Sequence, residues 1–147
     1  MSSFSFIERI KSQLLSTLHI NEEWVTCAPH DSVQRVAEIL AEKKVGSIVI
    51  VDPTEGHNRP LGIFTERDLI RCVANRKLDL SQEPISKHMT PQPKTASLTV
   101  SLMHVMAMMR MGKFRHLVIV NESGGLAGVV SIRDIMVHLL DEINEFK

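Results

Sequence analysis

The chain has 147 residues, 44% hydrophobic and 23% charged, enough to bury a core in one domain or two very small ones. Seventeen Lys and Arg balance seventeen Asp and Glu, and this zero net charge argues against a general nucleic-acid binder. Two isolated cysteines, Cys27 and Cys72, exclude a disulfide framework and a zinc quartet and fit a reducing, cytoplasmic setting.

Ser5-Phe6-Ile7-Glu8 is a capping-box pattern, and Ile7, Ile10, Leu14 and Leu18 share a face, which predicts an N-terminal helix over about 5–18. Asp31-Ser32 offers an N-cap to a helix reaching Lys44, with Val33, Val36, Ala37 and Leu40 on one side. Ile48 to Val51 is short and β-branched and reads as a buried strand. A turn-rich loop from Asp52 to Pro60 leads to a second strand, Leu61 to Phe64. Thr65-Glu66-Arg67-Asp68 then has the form of a capping box opening a helix from Leu69 to about Arg76. Residues 78–93 carry Pro84, Pro91 and Pro93 and read as a linker with one helical turn near 84–88. A helix from Ser101 to about Met111 follows, then strands His116–Val120 and Leu126–Val130 around a Gly124-Gly125 turn. A last helix starts after Ser131, with Ile135, Met136, Leu139, Leu140 and Ile143 as its apolar stripe.

The order of parts repeats. An offset of 69 aligns Thr26 with Thr95, Ser32 with Ser101 and Val49-Ile50-Val51 with Val118-Ile119-Val120. Past the loop the offset falls to 66 and aligns Gly62, Arg67 and Asp68 with Gly128, Arg133 and Asp134. The chain therefore divides into an N-terminal helix (1–20), a first repeat (21–77), a linker (78–93) and a second repeat (94–147). A repeat of this size is marginal for a core of its own, so a core shared by both is expected.

Each strand-to-helix corner has the chemistry of an anion site. A capped helix start turns N–H groups and the positive helix end toward one spot, where the hydroxyls of Thr65 and Ser131 can also donate. Asp68 and Asp134 lie one helical turn on, and a carboxylate suits the vicinal hydroxyls of a ribose. Thr-x-x-Asp is equally a plain helix cap. Arg67 and Arg133 suit either a helix-surface ion pair or a phosphate. The second repeat enters its strand with Lys113, Arg115 and His116, where the first has Lys44, Gly46 and Ser47.

G62-I-F-T-E-R-D-L-I-R71 and the matching Gly128 to Asp134, with M89-T-P-Q-P-K-T95 and F114-R-H-L-V-I-V120, resemble the tandem cystathionine-β-synthase (CBS) domain pair, or Bateman module, over roughly 20–143. The resemblance implies an α/β (α+β) fold. Two pseudo-symmetric repeats, each a small sheet with flanking helices, would pack into one module, with the N-terminal helix extra. It also implies clefts that hold an adenine nucleotide, AMP first, with ATP, ADP, NAD or S-adenosylmethionine as alternatives. By the same resemblance the backbone at Ile63 and Val129 would lie near the adenine. Thr26 and Thr95 would line the cleft wall, and Arg115 and His116, with Arg67 and Arg133, would serve the phosphate. Such modules pair as homodimers and regulate a separate protein partner. The contrasting expectation is a ligand-free dimeric interaction scaffold, held together by apolar helix faces.

The seven histidines form no HxxxH or HExxH pattern, and there is neither GxGxxG nor GxxxxGK[ST]. No metal site and no catalytic constellation is expected. No run approaches the roughly 18 apolar residues of a membrane span. Met103, Met106, Met108, Met109 and Met111 crowd one helix, with Met106 and Met109 expected in the core and part of the remainder at a dimer interface.

Overall fold

The computed structural model describes residues 3–18, 24–54 and 58–145. These fall into two compact units. The first-repeat unit holds residues 24–93 and 123–126, and the second-repeat unit holds 3–18, 94–122 and 127–145.

The first-repeat unit has a four-stranded sheet in the order β1 (Thr26–Cys27), β2 (Ser47–Val51), β3 (Pro60–Thr65), β4 (Thr90–Pro91). β1 runs parallel to β2, and the other two pairings are antiparallel. Helix α2 (Val33–Lys43) connects β1 to β2, as a parallel pairing requires a crossover. Its start is fixed by Ser32, whose hydroxyl accepts the N–H of Arg35 at 3.1 Å. Val33, Val36 and Leu40, spaced three and four apart, are its buried face. They pack with Ile48, Ile50 and Phe64 of the sheet and with Cys72 of α3 (Glu66–Ala74).

The second-repeat unit rebuilds the same plan. Its sheet runs β5 (Thr95–Ala96), β6 (His116–Val120), β7 (Leu126–Ser131), with β5 parallel to β6. Helix α4 (Leu102–Gly112) is capped by Ser101, whose hydroxyl accepts the N–H of His104 at 3.1 Å. Leu102, Val105 and Met109 are buried, each 69 residues after its counterpart in α2. Met106 packs against the same cluster, whereas Met103 and Met111 are exposed. Gly124 takes a positive φ of 85° in the β6–β7 turn, a backbone open to glycine at no steric cost. Helix α5 (Ile132–Glu145) closes the unit.

Two clusters of buried apolar residues, which leave out the buried Val49, Val51, Ile63, Val118 and Leu126, lie one in each unit, where the repeat length suggested a shared core. The reason is that each unit recruits a segment from outside its repeat. In the first, Ile85 and Ser86 donate to the carbonyls of Asp31 and Pro29, and Val33 donates to that of Glu83. In the second, Leu15 and Ser16 donate to the carbonyls of Val100 and Leu98, and Leu102 donates to that of Gln13. Both segments form a 3-10 turn, Ile85–Lys87 and Leu15–Thr17, and both bury a fully enclosed aliphatic residue, Ile85 or Leu15. The stretch read as a linker and the stretch read as the end of an N-terminal helix are thus the same structural part used twice. The N-terminal helix itself, α1 (Ser3–Ser12), is shorter than its periodicity suggests, because residues 13–18 leave helical geometry to make these bonds.

Candidate functional site

The strand-to-helix corners are the candidate sites. Thr26 of β1 lies opposite Val49 of β2, which lies opposite Ile63 of β3. Side chains alternate along a strand, so these residues and Thr65 point away from the face that carries Ile48, Ile50 and Phe64 into the core. Thr26, Ile63 and Thr65 therefore share one face of one sheet. In the second-repeat unit Thr95 lies opposite Val118, and Val129 and Ser131 alternate with the core residue Val130.

At the first corner the Thr65 N–H donates to Asp68 Oδ2 at 2.9 Å, and the Asp68 N–H donates back to Thr65 Oγ1 at 3.4 Å. The Thr65 hydroxyl also donates to Asp68 Oδ2, at 3.1 Å. Oδ1 of the same carboxylate pairs with Arg71 Nη1 at 3.5 Å. At the second corner the Ser131 N–H donates to Asp134 Oδ2 at 2.8 Å, and the Asp134 N–H donates to Ser131 Oγ at 3.2 Å. The first N–H of each helix is bonded across to the strand entry: Glu66 to the carbonyl of Gly46 at 3.1 Å, Ile132 to that of Arg115 at 2.8 Å.

These bonds narrow what the corner offers. Of the donors at each helix start, the capping bond and the strand bond consume all but the N–H of Arg67 or Arg133. An incoming anion would meet that one N–H and whatever side chains converge on it. Both arginines are exposed, and among the described residues neither makes an ion pair. Arg115 is exposed beside the start of α5, to which its carbonyl is bonded, and His116 is half-buried as the first residue of β6. Gly46 and Ser47 fill those two places in the first unit, so the basic strand entry belongs to the second corner alone.

Arg71 is the residue that sequence reasoning passed over. The signal was its position, three residues after Asp68 on the same helix, where side chains meet. The corresponding residue of the second repeat is Val137. Burial, with the charge of Asp68 and then Glu83, raises the pKa of the neighbouring Cys72 thiol above 9.0. Among the described residues no three His, Cys, Asp or Glu side chains are grouped as metal ligands, and no helix is long and apolar enough to cross a membrane.

The model of the CBS domain matches the chain twice, over residues 16–75 and 85–141. Each match begins at one of the two recruited 3-10 segments. An uncharacterized protein of Acidianus ambivalens is 35% identical over 113 residues, which are 77% of this chain and 65% of that protein. A CBS-domain protein of Agrobacterium tumefaciens has a solved structure that superposes with a TM-score of 0.69 at 34% identity, over 78% of this chain and 82% of that one. A CBS domain protein of Pyrobaculum aerophilum, solved in complex with AMP, gives 0.75 at 31% identity, over 87% and 98% of the two chains. The chain spans less than two thirds of the curated relatives it matches, from 65% down to 14% of their length.

Proposed function

The chain belongs to the CBS domain family, and from that premise we propose that it is a regulatory module that binds an adenosyl ligand, AMP first, and signals to a separate protein. The observation that carries this reading is the duplicated corner, in which a carboxylate and a hydroxyl stand one helical turn apart beside an arginine that makes no ion pair among the described residues. Asp68 and Asp134 accept the ribose hydroxyls. Thr65 or Ser131, with the N–H and guanidinium of Arg67 or Arg133, holds the phosphate, and Arg115 and His116 add to it in the second unit. The backbone at Ile63 and Val129 faces the adenine, and Thr26 and Thr95 form the wall. The AMP complex of the Pyrobaculum relative supports the choice of ligand.

Ligand binding regulates here by linkage: an adenosyl ligand that prefers one arrangement of the chain shifts the population a partner senses. The reading includes a homodimer. Helices α3 and α5 leave apolar side chains uncovered at matched positions, Ile70 at 69% and Met136 at 56% exposure. A face displayed twice suits a partner that displays it twice, as a second copy does. Two buried free thiols accord with the cytoplasm.

A thermal-shift screen against AMP, ADP, ATP, NAD and S-adenosylmethionine tests the reading. A ligand at about a hundred times its Kd stabilises by about 2.7 kcal/mol. The shift should vanish in the Asp68→Asn/Asp134→Asn double variant, which keeps an acceptor for both helix caps. No shift from any of these compounds on well-folded protein would leave the interaction scaffold as the better account.

A further inference from the structure

The two corners repeat one sequence pattern, yet their carboxylates are not equally engaged. Asp68 already accepts two donors on one oxygen and faces a cation at the other. The N–H and hydroxyl of Thr65 meet Oδ2, and the Arg71 guanidinium stands 3.5 Å from Oδ1. Asp134 accepts the Ser131 N–H on Oδ2, and among the described residues its Oδ1 has no partner. The hydroxyls differ in the same direction. That of Thr65 spends its proton on Asp68, whereas that of Ser131 receives the Asp134 N–H and donates to nothing among the described residues. Two of the differences between the repeats bear on these two groups: Thr65 against Ser131 at the cap, and Arg71 against Val137 one turn into the helix.

We propose that Arg71 is a built-in competitor for the ligand at the first corner, so that the chain carries two sites of unequal affinity. This rests on the reading of the two aspartates as acceptors for a ribose diol. A diol that donates to Asp68 Oδ1 must displace or share with the guanidinium, and an acceptor already facing a cation is a weaker acceptor for neutral hydroxyls. A diol that donates to Asp134 Oδ1 displaces only water. Arg71 is 73% exposed at its side chain, against 14% for Asp68, so the guanidinium can swing into solvent while the carboxylate stays in place. The competition is therefore mild and sensitive to salt. In consequence the second corner fills first and the first corner responds only at higher ligand concentration, which widens the range over which the chain reports.

Adenosine is the probe, because it carries the diol and no charge. Calorimetry in the Asp134→Asn background reads the first corner alone. There Arg71→Val, which installs the residue that the second repeat has, should tighten adenosine roughly two- to five-fold, the scale of an exposed ion pair. In the Asp68→Asn background, Val137→Arg should weaken the second corner by a similar factor. A third readout separates competition from a change of packing. Raising salt from about 0.05 to 0.5 M screens the ion pair, so it should tighten adenosine at the first corner with Arg71 present and leave the Arg71→Val protein unchanged. The inference fails if adenosine binds but neither exchange nor salt alters its affinity, or if Arg71→Val weakens binding. If neither adenosine nor AMP binds any of these proteins while all remain folded, the diol reading itself falls and takes this inference with it.

Discussion

Asp68 and Asp134 each close a helix start, so alanine at either position removes a cap together with a carboxylate. Such a variant should lose about 1 kcal/mol of stability whatever it does to ligand, which is why asparagine is the cleaner probe. Gly62 shows a similar double role. It reads in the sequence as part of a repeated motif, but its physical reason is β4: a Cβ there would stand 2.9 Å from the carbonyl oxygen of Thr90 and collide with the side chain of Met89. Gly62→Ala should therefore cost about 1–3 kcal/mol, measured by denaturant unfolding, through displacement of that edge strand. Cys27 supplies a pH test. Burial, and secondarily the charge of Asp31, pushes its thiol from 9.0 to about 12. A raised thiol pKa favours the fold fully below pH 9, and this contribution drains away as pH climbs from 9 toward 12, because the unfolded chain releases the proton first. Thiol reagents at neutral pH should label Cys27 only at the rate at which the chain opens, and fast labelling of folded protein would contradict its burial.

Helices α2 and α4 end on the same device. Lys44 and Lys113 both sit in the left-handed region, at φ 55° and 56°, and their N–H groups bond back to Leu40 and Met109. Lysine is strained there and glycine is not. Lys113→Gly should raise the melting temperature, with a gain of about 0.5–1 kcal/mol, whereas Lys113→Val should lower it, since β-branched residues fit that backbone least. The serine caps, the buried i, i+3, i+7 faces and the long strands β2, β3, β6 and β7 were all legible in the sequence, because each spans enough residues to show its period. The two-residue strands β1, β4 and β5 were not, since so short a stretch has no alternation to read; only pairing with a neighbour defines them. The corner residues were legible as a pattern. What the pattern could not carry was their bonding: which donors the caps consume, and that Arg71 turns onto Asp68.

In the whole molecule, the sequence repeat and the structural unit are out of phase. Leu15 completes the unit that contains residues 94–122, and Ile85 completes the unit that contains α2. The N-terminal segment has further anchors on α5. Gln13 Oε1 lies 2.9 Å from His138 Nε2, and Arg9 lies 3.1 Å from the buried Glu142 carboxylate, within ion-pairing range but without hydrogen-bond alignment. Leu15→Ala should cost about 2–5 kcal/mol and loosen amide protection across α4, α5 and β6 while sparing β2 and β3. Ile85→Ala should do the reverse. Equal loosening of both units by either change would contradict the division of the core.

This phase shift sets an order of events during synthesis. The first-repeat unit has most of its parts once residue 93 has left the ribosome, so its core can close early. Residues 13–18 emerge before any of it, and their partners at 98–102 are made only after residue 93. The nascent chain must hold this apolar strip unpaired while residues 24–93 of the first-repeat unit are made. Speed of translation across residues 19–97 thus decides how long the strip waits for its partners, and any protein joined ahead of Ser3 would be tethered to the unit that is finished last.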